Sequence, residues 1–533
     1  MKNTLLLLSF IAMSYIVAGQ SNIGIGQWES YLPHNAAKHV TQSDTKIIYA
    51  TDLSIFTIDK DDESIEYISK VDGLSETGIS NIEFDNFNDQ LIIAYDNSVI
   101  DIVRGNEVIG VFDIRDNDNF IDRKINDIFV QNNEWIYFAT GFGVVQYNLI
   151  DLEFGFTLDA SLGIDGISGN DDYLVMRSEN LSYILDFSNE QFPNAFSSWK
   201  PLTDGLPIDY IAEATAVIED RIYLADNDDV YIAEIGGAFS SVYSIPQGNV
   251  VSVLKETTDG WMLGLRGPSS RSSLLFFDDQ NALIDEVTTC TARLRDAIVT
   301  ENGDIYFADD FDFVRFIKDG ICSQEIFRGP FGSDASDIEI EDDIVYVASG
   351  GISENFADLA GRRGIYILTD GEWNNINQDN NPFYLDPVEI IQHYQIEKHP
   401  IKPLVYIGSF GAGLIEMNVE TGEQILYNSQ NTQGALGEQI GNPGVVRISG
   451  LTFDDDNNLW ISAFGAERPI AVLTDEGTWH SFEVSSTNLV SDIIRDDSGN
   501  VWSVIAGNAG GVMVINPGDN LSLIHISEPT RPY

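Results

Sequence analysis

A chain of 533 residues is too long for one compact core and long enough for two or three domains. Its hydrophobic content of 43% and aromatic content of 11% exclude a disordered polymer. With 28 Lys+Arg against 84 Asp+Glu, a formal net charge of -56 repels phosphate backbones and anionic headgroups, which argues against nucleic-acid binding.

The chain opens with a cationic Lys2, an apolar run from Leu5 to Val17, and the small residues Val17-Ala18-Gly19 before Gln20. That order is a secretory signal peptide over residues 1–19. The run is short for a membrane span, and no charge-free run of spanning length recurs downstream. Cys290 and Cys322 are the only cysteines, which excludes a disulfide-dense scaffold or a zinc ribbon. In an oxidising compartment they either pair, worth about 3–4 kcal/mol, or remain two buried thiols. Spacing leaves both open.

From there a repeat of roughly 45 residues runs on to about residue 520. Each copy has an apolar strand, an acidic turn, a second strand with Trp or Tyr, a Gly turn and further strands. The clearest copies span Val490 to Trp502 and Ile448 to Trp460; weaker ones centre on Ile48, Leu91, Ile136, Leu174, Ile222, Trp261, Ile305, Val345 and Val405. Segments such as Ile305-Tyr306-Phe307-Ala308 are short, β-branched and aromatic, and so read as buried strands. Asp496 to Asn500 and Glu301 to Asp304 supply hairpin chemistry. Gly411 and Gly413, and Gly510 and Gly511, open turns within their blades. Helical periodicity is confined to a short insertion, Asn355 to Arg362.

Such repeats cannot bury their faces singly, so they stack around an axis. The expected fold is all-β: tandem β-propellers of four-stranded blades, the first seven-bladed over 20–330, the second incomplete over 331–520. Gly26 to Tyr31 looks like a final strand without a first, so it is expected to close the first ring. Residues 521–533 break the repeat and resemble a translated sequencing adapter, so they are expected to be foreign to an open reading frame that stops early.

Chemistry is sparse. His393 and His399 flank Glu397, but Pro400 and Pro403 forbid a zinc-binding helix, and a solvent-facing loop is expected. His480 falls on an outer strand, where an exposed histidine is ordinary. Gly408 to Gly413 lies between two strands and reads as a blade turn, not a phosphate cradle. Asp113 to Asp122 and Asp454 to Asp456 carry calcium-compatible carboxylates without EF-hand spacing. The Asp497-to-Trp502 turn has the form of a structural Asp-box. No catalytic, cofactor-binding or metal-binding residue is assigned, and an enzyme is not expected. Arg362-Arg363 form the most visible cationic pair.

Repeats of the form Asp-x-Gly-Asn-x-Trp resemble the two-component regulator propeller family. The run Ile25 to Pro33, Ile48 to Thr51, Lys70 to Ser80 and Leu91 to Tyr95 is similar to the opening of the PorZ family of type IX secretion components. That resemblance implies two seven-bladed propellers and a C-terminal domain. It also implies a non-enzymatic role at the outer-membrane surface, alongside a PorU-like sortase and PorV-like and PorQ-like proteins, with anionic lipopolysaccharide as a ligand. Two alternatives remain: the periplasmic sensor of a hybrid histidine kinase, and a secreted glycan-active enzyme.

Overall fold

In a computed structural model, residues 28–516 and the backbone of 525–527 are described, apart from 179–180, 190–191, 269–270, 311–312, 326, 342, 386–389, 485–486 and 508–509. The expected signal peptide, Gly26 and most of 521–533 lie outside the described residues. The chain divides into two compact units, one formed by Glu29–Phe327 and the other holding the chain from Arg328 onward.

The first unit is built from antiparallel four-stranded sheets in simple up-and-down order. Among the described residues there are seven, blades 1 to 7. Their first strands are His39–Gln42, Ile79–Asp85, Ile125–Val130, Ile164–Gly169, Ala214–Ile218, Val250–Thr257 and Leu294–Val299. Each touches the next around a circle, and the seventh touches the first. The expected repeat centres Ile48, Leu91, Ile136, Leu174, Ile222, Trp261 and Ile305 all fall on second strands. The unit is a seven-bladed β-propeller.

Burial explains why the ring is needed. A pleated strand sends alternate side chains to opposite faces, and the apolar clusters form between blades. Ile48 and Ile55 of blade 1 meet Ile82 and Ile93 of blade 2. At the seam, Ile47, Tyr49 and Phe56 of blade 1 meet Ile298 and Tyr306 of blade 7. Polar staples add to this packing. The Asp127 carboxylate accepts the Ile167 N–H of the next blade at 2.9 Å, and Ser168 Oγ accepts that of Val217 at 2.8 Å. Asp296 of blade 7 accepts the Val40 N–H of blade 1 at 3.2 Å. Register shifts in the first strands fall at two of these staples, where Asp127 follows the irregularity opposite Ala139 and Thr140 and Asp296 follows the one after Leu294.

Ring closure differs from the expectation. Blade 7 already owns a fourth strand, Ile321–Gln324, so no place is left for one from the N-terminus. Residues 28–38 carry no strand, and Trp28 is 83% exposed. Packing and the Asp296 staple close the circle instead, with His34 wedged against Phe56, Tyr67 and Phe327.

The second unit repeats the plan in blades 8 to 11, whose first strands are Asp337–Glu341, His393–Lys398, Val446–Phe453 and Val490–Arg495. Val345, Val405, Trp460 and Trp502 again sit on second strands. Gly413 shows why its turn needs glycine. Its φ is 120°, and a Cβ there would lie 2.2 Å from the Tyr427 carbonyl oxygen. The backbone of His525–Ser527 pairs with Gly511–Asn516 as the outer strand of blade 11. An outer strand needs only backbone hydrogen bonds, which any non-proline sequence can supply.

The insertion in blade 8 is not helical. Phe356 and Ala360 have φ of 57°, outside the helical region, and so short a segment cannot nucleate a helix unaided. It forms a loop whose Phe356 ring stacks on Phe464 at 4.7 Å, while Arg447 donates to the Phe356 carbonyl at 3.2 Å.

Candidate functional site

The axial channel of the seven-bladed unit is the candidate site. Because first strands line the axis, their side chains converge from blades far apart in sequence. A cavity of about 500 Å³ opens there, lined by Thr41, Glu83, Asp127, Ser168, Thr215 and Lys255 among others. Lys255 pairs with Asp296 at 2.5 Å. Burial alone would lower the Lys255 ammonium, but Asp296, Glu83 and Asp127 together hold it above its usual value. Nearby, His39 is pushed down by burial more than Asp296 raises it.

Two acids of the group are raised: Asp127, where burial outweighs its backbone hydrogen bonds, and Glu83. Burial, then Asp296 and Asp127, outweigh Lys255 and lift the Glu83 carboxyl to about 7. The folded protein therefore holds a proton that the unfolded chain releases near 4.5. Stability from this group is full below that value and is lost as pH rises through about 7, a difference of at most about 3 kcal/mol. Glu83→Gln should accordingly gain about 2–3 kcal/mol over the parent at pH 8 and nearly nothing at pH 4. Urea denaturation at the two pH values checks this. Equal differences at both would show that Glu83 is not protonated in the fold.

Chemically the channel is a polar, acid-dominated lumen with one ammonium. Asp127 accepts the Ile128 and Ile167 N–H groups, each at 2.9 Å, and Asp296 those of Val40 and Ala297, so both carboxylates are engaged by backbone. The blades of the second unit place acids in the same position. Glu397 is lifted to about 8 by burial and by Glu339 and Asp337, and Asp337 accepts the Ile396 N–H at 3.0 Å. A separate cavity of about 760 Å³ between blades 8 and 9 is lined by Tyr346, Trp373, Lys398 and Lys402. Lys398 is engaged there, donating to the carbonyls of His399 and Lys402 and pairing with Glu341 at 3.3 Å.

The histidine expectation is overturned. His393 starts a first strand and is fully buried against Tyr384, and burial drives its pKa down to about 3. His399 is also buried; its Nδ1 accepts the N–H groups of Ile401 and Lys402 at 3.1 Å, and Nε2 faces Asp475 at 3.2 Å. The prolines exclude a helix but permit the strand and tight turn that bury both rings. His480 lies half-buried on the outer strand of blade 10.

The other motifs are structural. Gly408 to Gly413 spans the hairpin between two strands of blade 9. The acidic stretch from Asp113 holds a single helical turn, Asp113–Asp116, and pairs internally, Arg115 with Asp116 at 2.8 Å and Arg123 with Asp118 at 3.4 Å. In the Asp-Trp turns the anchor is the first acid, one place before the Asp-box reading. Asp496 accepts from Trp502 Nε1 at 2.8 Å and from the Asn500 backbone at 2.9 Å, which holds its carboxyl down at about 2. Asp454 makes the same bonds to Trp460 and Asn458, each at 2.9 Å. Cys290 and Cys322 form a disulfide. Arg363 pairs with Asp334 at 2.9 Å and Arg362 donates to the Ala360 carbonyl at 3.2 Å.

Sequence reading missed the channel group because its members are scattered over different repeats. The available signal was a polar residue recurring just after the bulge of the first strand, as Asn81, Asp127, Asp296 and Gln395.

Residues 47–200 match the family described as the PorZ N-terminal β-propeller domain of the type IX secretion system. The solved structure of PorZ from Porphyromonas gingivalis, described as an essential bacterial surface component of that system, superposes with a TM-score of 0.81 at 21% identity, covering 95% of this chain and 68% of that one. The extracellular domain of a two-component system protein from B. thetaiotaomicron, 14% identical, reaches only 0.41 over 94% of this chain and 67% of that one. A search of curated proteins returns no match. Family match over residues 47–200 and fold match over almost the whole chain agree: the protein is PorZ-like.

Proposed function

We propose that this chain is a non-enzymatic accessory of the type IX secretion system, exported to the outer-membrane surface. There it binds PorU-like, PorV-like and PorQ-like proteins and an anionic lipopolysaccharide, in support of the sortase that processes and attaches cargo. The match of residues 47–200 to the PorZ propeller family carries this reading. The geometry is in keeping with it. A closed ring offers rigid faces for docking without an active site, and the channel carboxylates Asp127 and Asp296 are committed to inter-blade staples. Paired catalytic acids in a glycosidase must instead be free to face a scissile bond.

The test is affinity purification of the tagged chain from detergent-solubilised outer membranes of its source bacterium. Co-purification of sortase-like and PorV-like proteins is expected. Recovery with an inner-membrane kinase instead, or with none of these proteins, contradicts the reading.

A further inference from the structure

A protein with 28 basic and 84 acidic residues is expected to surround each cation with anions. At one end of the blade 6–blade 7 seam the ratio is reversed. Arg266 ends the second strand of blade 6 near Gly267, while Arg293 and Arg295 flank Leu294 at the start of blade 7's first strand. All three converge on one carboxylate. Arg266 Nη1 lies 3.4 Å and Arg293 Nε 4.0 Å from Asp310 Oδ2, and Arg295 Nε pairs with Oδ1. The three guanidinium groups share this one carboxylate, while the neighbouring Asp309 carboxylate is taken up by Thr291 and the backbone beneath.

Their donors are largely unused. A guanidinium carries five N–H groups, yet among the described residues these three side chains make only two hydrogen bonds, both to Asp310. All are accessible, with side-chain exposures of 35%, 52% and 41% for Arg266, Arg293 and Arg295.

The backbone beneath them is fixed. Asp309 accepts from Thr291 Oγ1 at 2.8 Å and from the N–H groups of Ala292 and Arg293 at 2.7 and 3.0 Å. Ser272 Oγ donates to the Ala292 carbonyl at 2.9 Å and accepts from Leu294 N–H at 3.0 Å. The Cys290–Cys322 disulfide ties the start of the segment to blade 7's outer strand. Such preorganisation lowers the ordering cost of binding, and forked guanidinium donors match the planar, paired oxygens of carboxylate and phosphate.

We propose that Arg266, Arg293 and Arg295 form an oxyanion-binding site for a phosphate or carboxylate group. The site supplies the local cation that an acidic protein needs to hold an anionic ligand. Only the identity of the molecule carrying the group rests on the surface-accessory reading above. Asp310 acts as the internal counter-ion: it holds the three side chains together and competes with the ligand.

The test is titration of the full chain with inorganic phosphate and with galacturonate, then with vesicles of anionic lipopolysaccharide. Saturable binding of at least one small anion is expected, weakening as salt rises. Arg293→Gln with Arg295→Gln should reduce it by at least about tenfold, the loss of charge-assisted hydrogen bonds. Arg293→Lys with Arg295→Lys should retain part of it, which separates loss of binding from loss of fold. Asp310→Asn should bind several-fold more tightly. No saturable binding of either small anion, or equal binding by the glutamine variant, overturns the proposal. Binding of phosphate but not of the vesicles upholds the site and contradicts lipopolysaccharide as its ligand.

Discussion

Trp460→Ala is expected to lower the unfolding free energy of the second unit by about 3–5 kcal/mol, the range for deleting a fully buried aromatic. Trp460 is 0% exposed and sits among Val490, Ile493, Val501 and Met513 of blade 11, so its ring cements two blades. Its indole N–H donates to Asp454, whose other oxygen caps the turn at Asn458. Trp460→Phe keeps most of the ring but strands that carboxylate bond, and should cost about 1–2 kcal/mol. Chemical denaturation of the two variants separates the contributions. Equal losses would mean that the turn's hydrogen bond, and not inter-blade packing, dominates.

Replacing Cys290 and Cys322 with serine is expected to cost about 3–4 kcal/mol, the loop-closure stabilisation for a bridge with a sequence separation of 32. Cys290 lies just before blade 7's first strand and Cys322 lies in its last, so the bond clamps the blade across its full width. This blade makes the ring's closing seam with blade 1, where Tyr306 packs with Tyr49 and Phe56. Loss of the clamp should therefore be felt at the seam, with earlier exchange of the Val40 amide, the donor to Asp296. Denaturation of the parent with and without reductant, compared with the serine variant, measures the effect. A parent insensitive to reductant would contradict it.

What could be read from sequence followed from how local its physical cause is. The repeat centres, from Ile48 to Trp502, were legible because a buried second strand demands β-branched and aromatic residues in one short run. The turns were legible because Asn, Asp and Gly have few other uses at such spacing. Ring closure was not, because Gln-Trp-Glu-Ser-Tyr is a good strand pattern whose possible slot had been filled by Ile321–Gln324. The buried state of His393 was hidden because Pro400 and Pro403 pointed to a loop, while the packing of Tyr384 on it comes from nine residues upstream. The channel acids and the arginine cluster were out of reach for the same reason. Glu83, Asp127, Lys255 and Asp296, or Arg266 and Asp310, are brought together only by the circular stacking of blades.

On the function proposed above, this PorZ-like chain serves cargo attachment at the cell surface. The most direct measurement is deletion of its gene in the source bacterium, with cargo followed by surface proteolysis and by the size of its sorting domain. In the deletion strain cargo is expected to keep its sorting domain and to be lost from the surface, and the intact gene to restore processing and attachment. Normal processing and attachment in the deletion strain would contradict it.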